Sequence, residues 1–334
     1  MNQHTTQELA AQFSAAGIHG KTVGIHSQLS AIGEIVSTPV SSTESAKGMK
    51  PFAKTVIEAL LIALGDKGTF FVPTHTVNTM SHFGLGRTKI DGSTVIDDGY
   101  FRAETTTSSV GSFTQSVLAD SRAIRSIHPT HSTAAIGPEA KYLTYGHDHT
   151  VQPVGIQNAF TKLIGLDGLV MFIGPVLGSN TSFHAYETLM LPALSDYLPG
   201  VAATVIDGVK RLVTQTWVPH FHRDFYMESK RPTRAWNKIR EANLLHSAPL
   251  GSGTLYWYEA KKIANFFANE VFPKEPDILF CDSTDKCNTL HDCLTINSWL
   301  KELYSDGDKW SASKITAGMD RKFLSLLKPG RQRI

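Results

Sequence analysis

Apolar residues along the chain fall into two spacings, one typical of helices and one typical of buried strands. In the segments 6–17 and 51–65 they recur every three to four positions, which predicts two amphipathic helices. Pro51 suits the first turn of the second helix, and Gly65 suits its end. Because helical and strand-like segments alternate, the pattern predicts an α/β fold.

Four short apolar runs predict buried strands, and polar loops adjoin all of them. The runs cover residues 21–27, 68–76, 132–137 and 168–174, and the second turns into a loop at Pro73. Three of the four polar loops follow a strand, and ligands gather at the carboxyl ends of strands in open α/β sheets. Each loop carries histidine, serine or threonine, so together they predict one cleft; they span 26–33, 73–76, 125–132 and 178–187.

The second half of the chain combines a hairpin signal with two helical patterns. Residues 201–218 alternate around Asp207-Gly208, the strongest short signal for a β-hairpin. The segments 233–245 and 256–272 predict amphipathic helices. Residues 77–110 have little periodicity, and a loop of this length in a compact domain is usually functional or disordered.

Composition narrows the classes of partner and compartment. The chain has 334 residues, 41% of them hydrophobic, which suffices for one large domain or two smaller ones. The 32 basic and 30 acidic residues are scattered and nearly balanced, so no patch favours nucleic acid or anionic lipid. The polar N-terminus and the lack of an apolar run of about 18 residues predict a cytoplasmic protein without a membrane span.

Common catalytic and metal motifs are missing from the sequence. G-x-S-x-G, G-x-x-x-x-G-K-[ST], H-E-x-x-H and a G-x-G-x-x-G after a strand do not occur, which disfavours serine hydrolases, nucleotide-binding folds and zincins. Cys281, Cys287 and Cys293 lie close together with His291, but without the C-x₂-C spacing of zinc sites. We therefore interpret them as reduced or buried thiols and predict no metal.

The stretch N-T-S-F-H-A-Y-E, residues 180–187, places His184 three residues before Glu187. If Thr181 or Ser182 caps a helix here, the two side chains share one face of it. From the local sequence, a surface ion pair is the more common outcome. The alternative is a neutral histidine that faces a cleft and is held by a carboxylate.

Four motifs then occur in a fixed order: H-S-Q-L-S-A-I-G at 26–33, V-I-E-A-L-L-I-A-L-G-D-K-G-T-F-F-V-P-T-H-T at 56–76, R-S-I-H-P-T-H-S-T-A-A-I-G at 125–137 and D-G-L-V-M-F-I-G-P-V-L-G-S-N-T-S-F-H-A-Y-E at 167–187. This series resembles the aminoglycoside 3-N-acetyltransferase family, antibiotic N-acetyltransferases that are not of the GNAT type. The resemblance implies a central mixed sheet flanked by helices, in a single domain over 1–334. Its motif core lies at about 20–190, and the hairpin and C-terminal helices are added at about 200–334.

The resemblance also implies acetyl-CoA as co-substrate, no metal, and transfer to a primary amine of a small polar molecule. The family's general base is the histidine of N-T-x-x-H-x-x-E, here His184, and the carboxylate that orients it is Asp224, Glu228 or Glu187. A backbone N–H of the 26–31 loop is a candidate donor to the oxyanion. The residues implied to contact the coenzyme are His26, Ser27, Leu29, Ser30, Ala31, Thr76, Ser126, His128, Thr130, His131 and Ser132.

The chain departs from the family at two places. Relatives have a short Phe-Asp-Pro segment where this chain has an insert at 77–108, and Gln115 stands at the usual glutamate of a Met-Gly-x-x-x-Glu motif. Asp91, Asp97 and Asp98 in the insert are candidate replacements for the family's substrate-binding acids. These departures bear more on the identity of the acceptor than on acetyl transfer.

Three alternatives stay open at this point. One is a biosynthetic N-acyltransferase for an amino sugar or amino-phosphonate, and another is a homologue that binds the coenzyme without catalysis. A metallohydrolase is the third, although the histidines in 128–184 do not combine ligand spacing with a carboxylate. The oligomeric state is not predicted.

Overall fold

The computed structural model describes residues 3–76, 99–192, 199–216, 234–275, 278, 298, 301–330 and 332–334. Most of the predicted insert, including Asp91, Asp97 and Asp98, lies outside these residues. So do the candidate carboxylates Asp224 and Glu228, and the three cysteines with His291.

Strands and helices alternate along the described chain. The strands are β1 Thr22–Ser27, β2 Thr69–Pro73, β3 Ile124–Arg125, β4 Thr133–Ile136, β5 Leu169–Ile173, β6 Pro199–Ile206, β7 Val209–Thr216, β8 His246–Leu250, β9 Gly253–Glu259, β10 Ser305–Asp306 and β11 Lys309–Trp310. The α-helices are α1 Thr6–Ala15, α2 Ser42–Ala46, α3 Pro51–Leu64, α4 Ser112–Ala119, α5 Ala140–Thr144, α6 Ala159–Gly165, α7 Thr181–Met190, α8 Arg234–Glu241, α9 Ala260–Phe266, α10 Ala312–Gly318 and α11 Arg321–Leu326.

A seven-stranded sheet in the order β3-β4-β2-β1-β5-β9-β8 forms the centre of the molecule. Strand β1 pairs in parallel with β2 and β5, whereas β4 runs antiparallel to β2 and β9 runs antiparallel to β5. The predicted mixed sheet with flanking helices is therefore confirmed. Because β4 is antiparallel, the loop before it lies at the same edge as the loops after β1, β2 and β5.

Helices cover both faces of this sheet, and side chains alternate between the two faces along each strand. Phe70 and Val72 pack with α1, α3 and α4 in one apolar cluster. Phe71, Val170 and Phe172 face the other way and pack with α5, α6, α7 and α9. Helix α3 begins at Pro51, as predicted, and ends before Gly65, whose φ of 64° suits glycine.

The predicted hairpin is present as β6 and β7, which pair antiparallel around a turn at Asp207-Gly208. One predicted helix start is wrong, because Tyr256 to Glu259 belong to strand β9 and the helix begins at Ala260. The reason is tertiary: β9 pairs with both β5 and β8, and its side chains pack alternately on the two faces of the sheet. Among the described helices, none is long and apolar enough to cross a membrane.

The loop before β4 is built around buried histidines. His147 is 1% exposed; its Nδ1 accepts from the Ser126 hydroxyl at 3.1 Å, and its Nε2–H donates to the Pro153 carbonyl at 3.0 Å. The ring of His128 stacks on it with centroids 4.7 Å apart. Burial, followed by the neighbouring His128, lowers the pKa of His147 well below its ordinary value of 6.5.

This arrangement predicts that the fold loses stability below about pH 6.5. In the unfolded chain His147 takes up a proton near its ordinary pKa, whereas the folded chain keeps it neutral, so stability is complete above that pH and falls as the pH falls. Each such group contributes up to about 1.4 kcal/mol per pH unit to this slope. Urea unfolding between pH 7 and pH 5 measures the slope, and we expect His147→Gln to flatten it. Identical slopes for the variant and the wild type would contradict this account.

Candidate active site

Four polar loops meet at one edge of the sheet. The backbone N–H of Thr74, just after β2, donates to the Ser132 carbonyl at 2.8 Å, and the N–H of Thr76 donates to the Thr130 carbonyl at 2.9 Å. These bonds join the loop after β2 to the loop before β4. The loops after β1 and β5 adjoin them because those strands run parallel to β2.

A cleft of about 590 Å³ opens beside the end of β1. Three residues implied to contact the coenzyme, Ser27, Leu29 and Ser30, line it. The N-terminus of α4 forms the facing wall, which sequence reasoning missed because its Val-Gly-Ser-Phe text carries little signal. The complete lining is Ser27, Gln28, Leu29, Ser30, Gly33, Ile35, Ser37, Phe52, Val110, Gly111, Ser112 and Phe113.

The start of α4 has the properties of an anion-binding end. Its N-cap is Gly111, with φ of 106° and no side-chain cap. In the chain as described, the N–H groups of Ser112 and Phe113 have no hydrogen-bond acceptor. Unpaired N–H groups at a helix N-terminus, together with the helix dipole, favour a negatively charged group.

Gln115, where the resemblance implies a glutamate, connects this wall to the neighbouring loops. Its Oε1 accepts from the Ser108 N–H at 3.0 Å, and its Nε2 donates to the Lys47 carbonyl at 2.9 Å. A glutamate has no N–H to give the Lys47 carbonyl. These two hydrogen bonds therefore explain why an amide side chain suits this position.

Helix α7 carries the N-T-x-x-H-x-x-E motif and starts inside the protein. The predicted caps Thr181 and Ser182 are wrong, since the N-cap is Asn180, whose side chain accepts from the Ser182 N–H at 3.2 Å. The reason is a buried network in which Asn180 donates to the Tyr258 hydroxyl at 2.7 Å. The Ser182 hydroxyl completes it, at 2.7 Å from Asn180 and 2.5 Å from Tyr258.

His184 and Glu187 form a buried pair on α7 and not a surface one. The side chains are 10% and 1% exposed, and 3.0 Å separates His184 Nδ1 from Glu187 Oε2. Burial raises the pKa of Glu187 well above its ordinary value. The other carboxylate oxygen, Oε1, is buried and has no hydrogen-bond partner in the described part of the chain.

His26 lies near the end of β1, beside the first turn of α7. It is 4% exposed, and its ring stacks between Phe160 at 5.2 Å and Phe172 at 5.5 Å. Its Nε2 accepts from the Thr181 N–H at 3.3 Å. Burial, followed by the nearby His75 and His184, lowers the pKa of His26 to about 3, so the ring is neutral. His26 is thus brought close to the histidine of the motif.

The other residues implied to contact the coenzyme are bonded within the protein. The hydroxyl of Thr76 donates to the Pro129 carbonyl, and Ala31 donates its N–H to the Gln28 carbonyl at 3.0 Å. The residues of the loop before β4 are buried and hydrogen-bonded to one another or to neighbouring loops; they are Ser126, His128, Thr130, His131 and Ser132. Their contact with coenzyme stays a prediction.

Arg125 is a second residue that sequence reasoning missed. Its guanidinium donates to the Ser132 hydroxyl at 3.0 Å, to the Thr74 carbonyl at 3.2 Å and to the Ala103 carbonyl at 3.1 Å. Burial lowers the pKa of Arg125 to about 10. A single cation thus fastens three loops together at the edge of the sheet. The described residues contain no group of three or more metal-ligating side chains.

Comparison with known proteins identifies the family. A profile described as aminoglycoside 3-N-acetyltransferase matches residues 25–272. Aminoglycoside N(3)-acetyltransferase VII from Streptomyces paromomycinus is 26% identical over 189 residues, which are 55% of this chain and 60% of that protein. The chain thus aligns with less than two thirds of this relative's length.

Two solved structures share the fold. The apoenzyme of aminoglycoside acetyltransferase AAC(3)-IVa matches with a TM-score of 0.62 and 19% identity, over 86% of this chain and 95% of that one. AAC-IIIb, solved as a binary complex with CoASH, matches with a TM-score of 0.59 and 16% identity, over 79% of this chain and 95% of that one. The family profile covers well over half of the sequence, including the cleft loop and the His184–Glu187 motif. The chain therefore belongs to the aminoglycoside 3-N-acetyltransferase family, a family of acyltransferases.

Proposed function

We propose that this protein transfers the acetyl group of acetyl-CoA to a primary amine of an aminoglycoside or a related small polar molecule. The observation that carries the proposal is the buried His184–Glu187 pair on α7, the helix that follows strand β5 at the loop edge of the sheet. We further propose that residues 1–334 act as one domain, since both apolar clusters pack on the same sheet.

His184 acts as the general base in this proposal. When the proton of the neutral imidazole lies on Nδ1 and is donated to Glu187, Nε2 keeps its lone pair and can accept a proton. The acceptor amine is mostly protonated at neutral pH, so removing its proton is the demanding part of the reaction, while the thioester is already activated. A general base of this kind contributes about 10²- to 10⁴-fold in rate.

The coenzyme occupies the cleft between the loop after β1 and the start of α4. The unpaired N–H groups of Ser112 and Phe113 suit a phosphate, and the hydroxyls of Ser27 and Ser30 suit the amides of the pantetheine arm. The apolar side chain of Phe52 provides contact for its methylene groups. CoASH is bound in the solved structure of AAC-IIIb, which supports the same co-substrate here.

The unpaired Oε1 of Glu187 supports an amine as acceptor. A buried acceptor without a donor costs about 1–3 kcal/mol, and an ammonium group near His184 would remove that cost. The proposed acceptor is a class of compounds, small polar primary amines, and not a single compound. Gln115 carries no charge where relatives have a glutamate, which favours the second candidate, a biosynthetic N-acyltransferase for an amino sugar or amino-phosphonate.

Thiol release from acetyl-CoA, measured against a panel of aminoglycosides, amino sugars and amino-phosphonates, tests the activity and separates the acceptor classes. We expect release with at least one class, and we expect His184→Ala to lose nearly all of it with unchanged circular dichroism. If the variant keeps more than about a tenth of the rate, the general-base role is wrong. Coenzyme binding by the wild type without thiol release would indicate a non-catalytic homologue.

A second prediction identifies the carboxylate that orients the histidine. Glu187→Gln should lower kcat on the order of 10²-fold, because the base loses the carboxyl group that holds its Nδ1, with little change in the KM for acetyl-CoA. Asp224→Asn and Glu228→Gln are matched controls, and each should stay within about tenfold of the wild type. A larger loss in either control than in Glu187→Gln would transfer the role to that carboxylate.

A third prediction concerns the anion site at the start of α4. Ser112→Asp should raise the KM for acetyl-CoA about tenfold, because the added carboxylate repels a phosphate, with kcat largely unchanged. The effect should shrink at high salt, and Ser112→Asn serves as the neutral control. An unchanged KM at low salt would exclude phosphate from this position.

A further inference from the structure

One ring nitrogen of His26 accepts a hydrogen bond from the protein, and the other forms none with the described residues. Nε2 accepts the hydrogen bond from the Thr181 N–H at 3.3 Å. Within the described residues, Nδ1 makes no hydrogen bond, and the ring keeps 4% of its surface exposed. A buried imidazole of this kind retains one unused polar atom.

The bond from Thr181 fixes which nitrogen carries the proton. Because Nε2 accepts, a neutral ring must hold its proton on Nδ1. The imidazolium form is disfavoured by the positive N-terminal end of α7, by the apolar rings of Phe160 and Phe172, and by the nearby His75 and His184. His26 therefore presents a neutral N–H donor.

The position of the His26 N–H donor suits the stabilisation of the negative charge that forms on the thioester oxygen during transfer. Ser27, the next residue along the chain, lines the coenzyme cleft. Thr181, which donates its N–H to His26, lies one helical turn before His184. His26 thus adjoins the cleft through the next residue of the chain and contacts the first turn of the helix that carries the proposed base.

We propose that the Nδ1–H of His26 donates a hydrogen bond to the carbonyl oxygen of the bound thioester and stabilises the oxyanion formed during transfer. The inference rests on the proposed acetyl transfer and assigns His26 a catalytic role in place of the coenzyme-groove role implied by the sequence. A neutral imidazole held at a helix N-terminus polarises a carbonyl without giving up its proton.

Acetyl transfer proceeds through one tetrahedral adduct. The amine nitrogen bonds to the thioester carbon, the C=O π pair moves onto oxygen, and His184 Nε2 takes the amine proton. The Nδ1–H of His26 bonds to the resulting oxyanion. When the C=O bond reforms, the C–S bond breaks, and the coenzyme thiolate takes the proton from His184.

Two substitutions separate this role from a purely structural one. In His26→Asn the side-chain amide lies near the position of Nδ1 and can supply the donor. In His26→Gln it lies near the position of Nε2 and can restore the acceptor for the Thr181 N–H. We expect His26→Gln to lose about 10²- to 10³-fold in kcat with the KM for acetyl-CoA nearly unchanged, whereas His26→Asn keeps clearly more activity.

His26→Phe completes the set, because it keeps the ring contacts with Phe160 and Phe172 but removes both polar atoms. It should be at least as slow as His26→Gln. Hydrogen exchange over residues 177–186 reports the integrity of α7 independently of turnover. Higher kcat in His26→Gln than in His26→Asn would show that His26 only positions the helix, and a change confined to the KM for acetyl-CoA would make it a coenzyme contact; either result overturns the proposal.

Histidine ¹⁵N NMR of the wild type tests the inference without any acceptor. The expected signature for His26 is a neutral ring protonated at Nδ1 between pH 5 and 7, and a proton on Nε2 would overturn the proposal. If the wild type transfers no acetyl group to any acceptor, the proposed function fails while this signature stands. If the wild type is active but the kinetic order of the Asn and Gln variants is reversed, the role of His26 alone fails.

Discussion

Helix α7 begins inside the protein, and its first N–H groups must find acceptors there because little water reaches them. Asn180 and His26 supply two of these acceptors, one from the preceding turn and one from the end of β1. Both acceptors are buried and held within the protein, so the first turn of the helix has a fixed direction. The position of His184, and of the carboxylate that holds it, follows from that direction.

The topology of the mixed sheet brings the other loops of the site to the edge where α7 begins. Since β4 runs against β2, its leading loop lies at the edge where β1, β2 and β5 end. Arg125 and the buried histidines of that loop hold the edge together through hydrogen bonds to neutral groups. The polar residues of this edge thus divide into those that support the site and those that face the cleft.

Local sequence patterns were sufficient for the elements that depend on local forces. Helices α1 and α3, strand β1 and the hairpin follow from apolar spacing, an N-terminal proline and an Asp-Gly turn. The apolar spacing of residues 256–259 predicts the start of a helix, but these residues end strand β9, because only pairing with β5 and β8 makes them a strand. The burial of the His184–Glu187 pair and the capping by Asn180 likewise depend on partners distant in sequence, such as Tyr258. The motif order revealed the family, and the roles within the site required the geometry.

The amide of Gln115 has a consequence for how this chain can change. Its Nε2–H meets the Lys47 carbonyl, and its Oε1 meets the Ser108 N–H, so the side chain uses both ends at once. A glutamate at position 115 would set a carboxylate against the Lys47 carbonyl oxygen unless the 47–48 turn moved as well. Substitutions at position 115 and in the 47–48 turn are therefore epistatic. A single substitution in one segment loses hydrogen bonds that paired substitutions in both can restore. The charge at this wall of the cleft is thus expected to change only when both segments change.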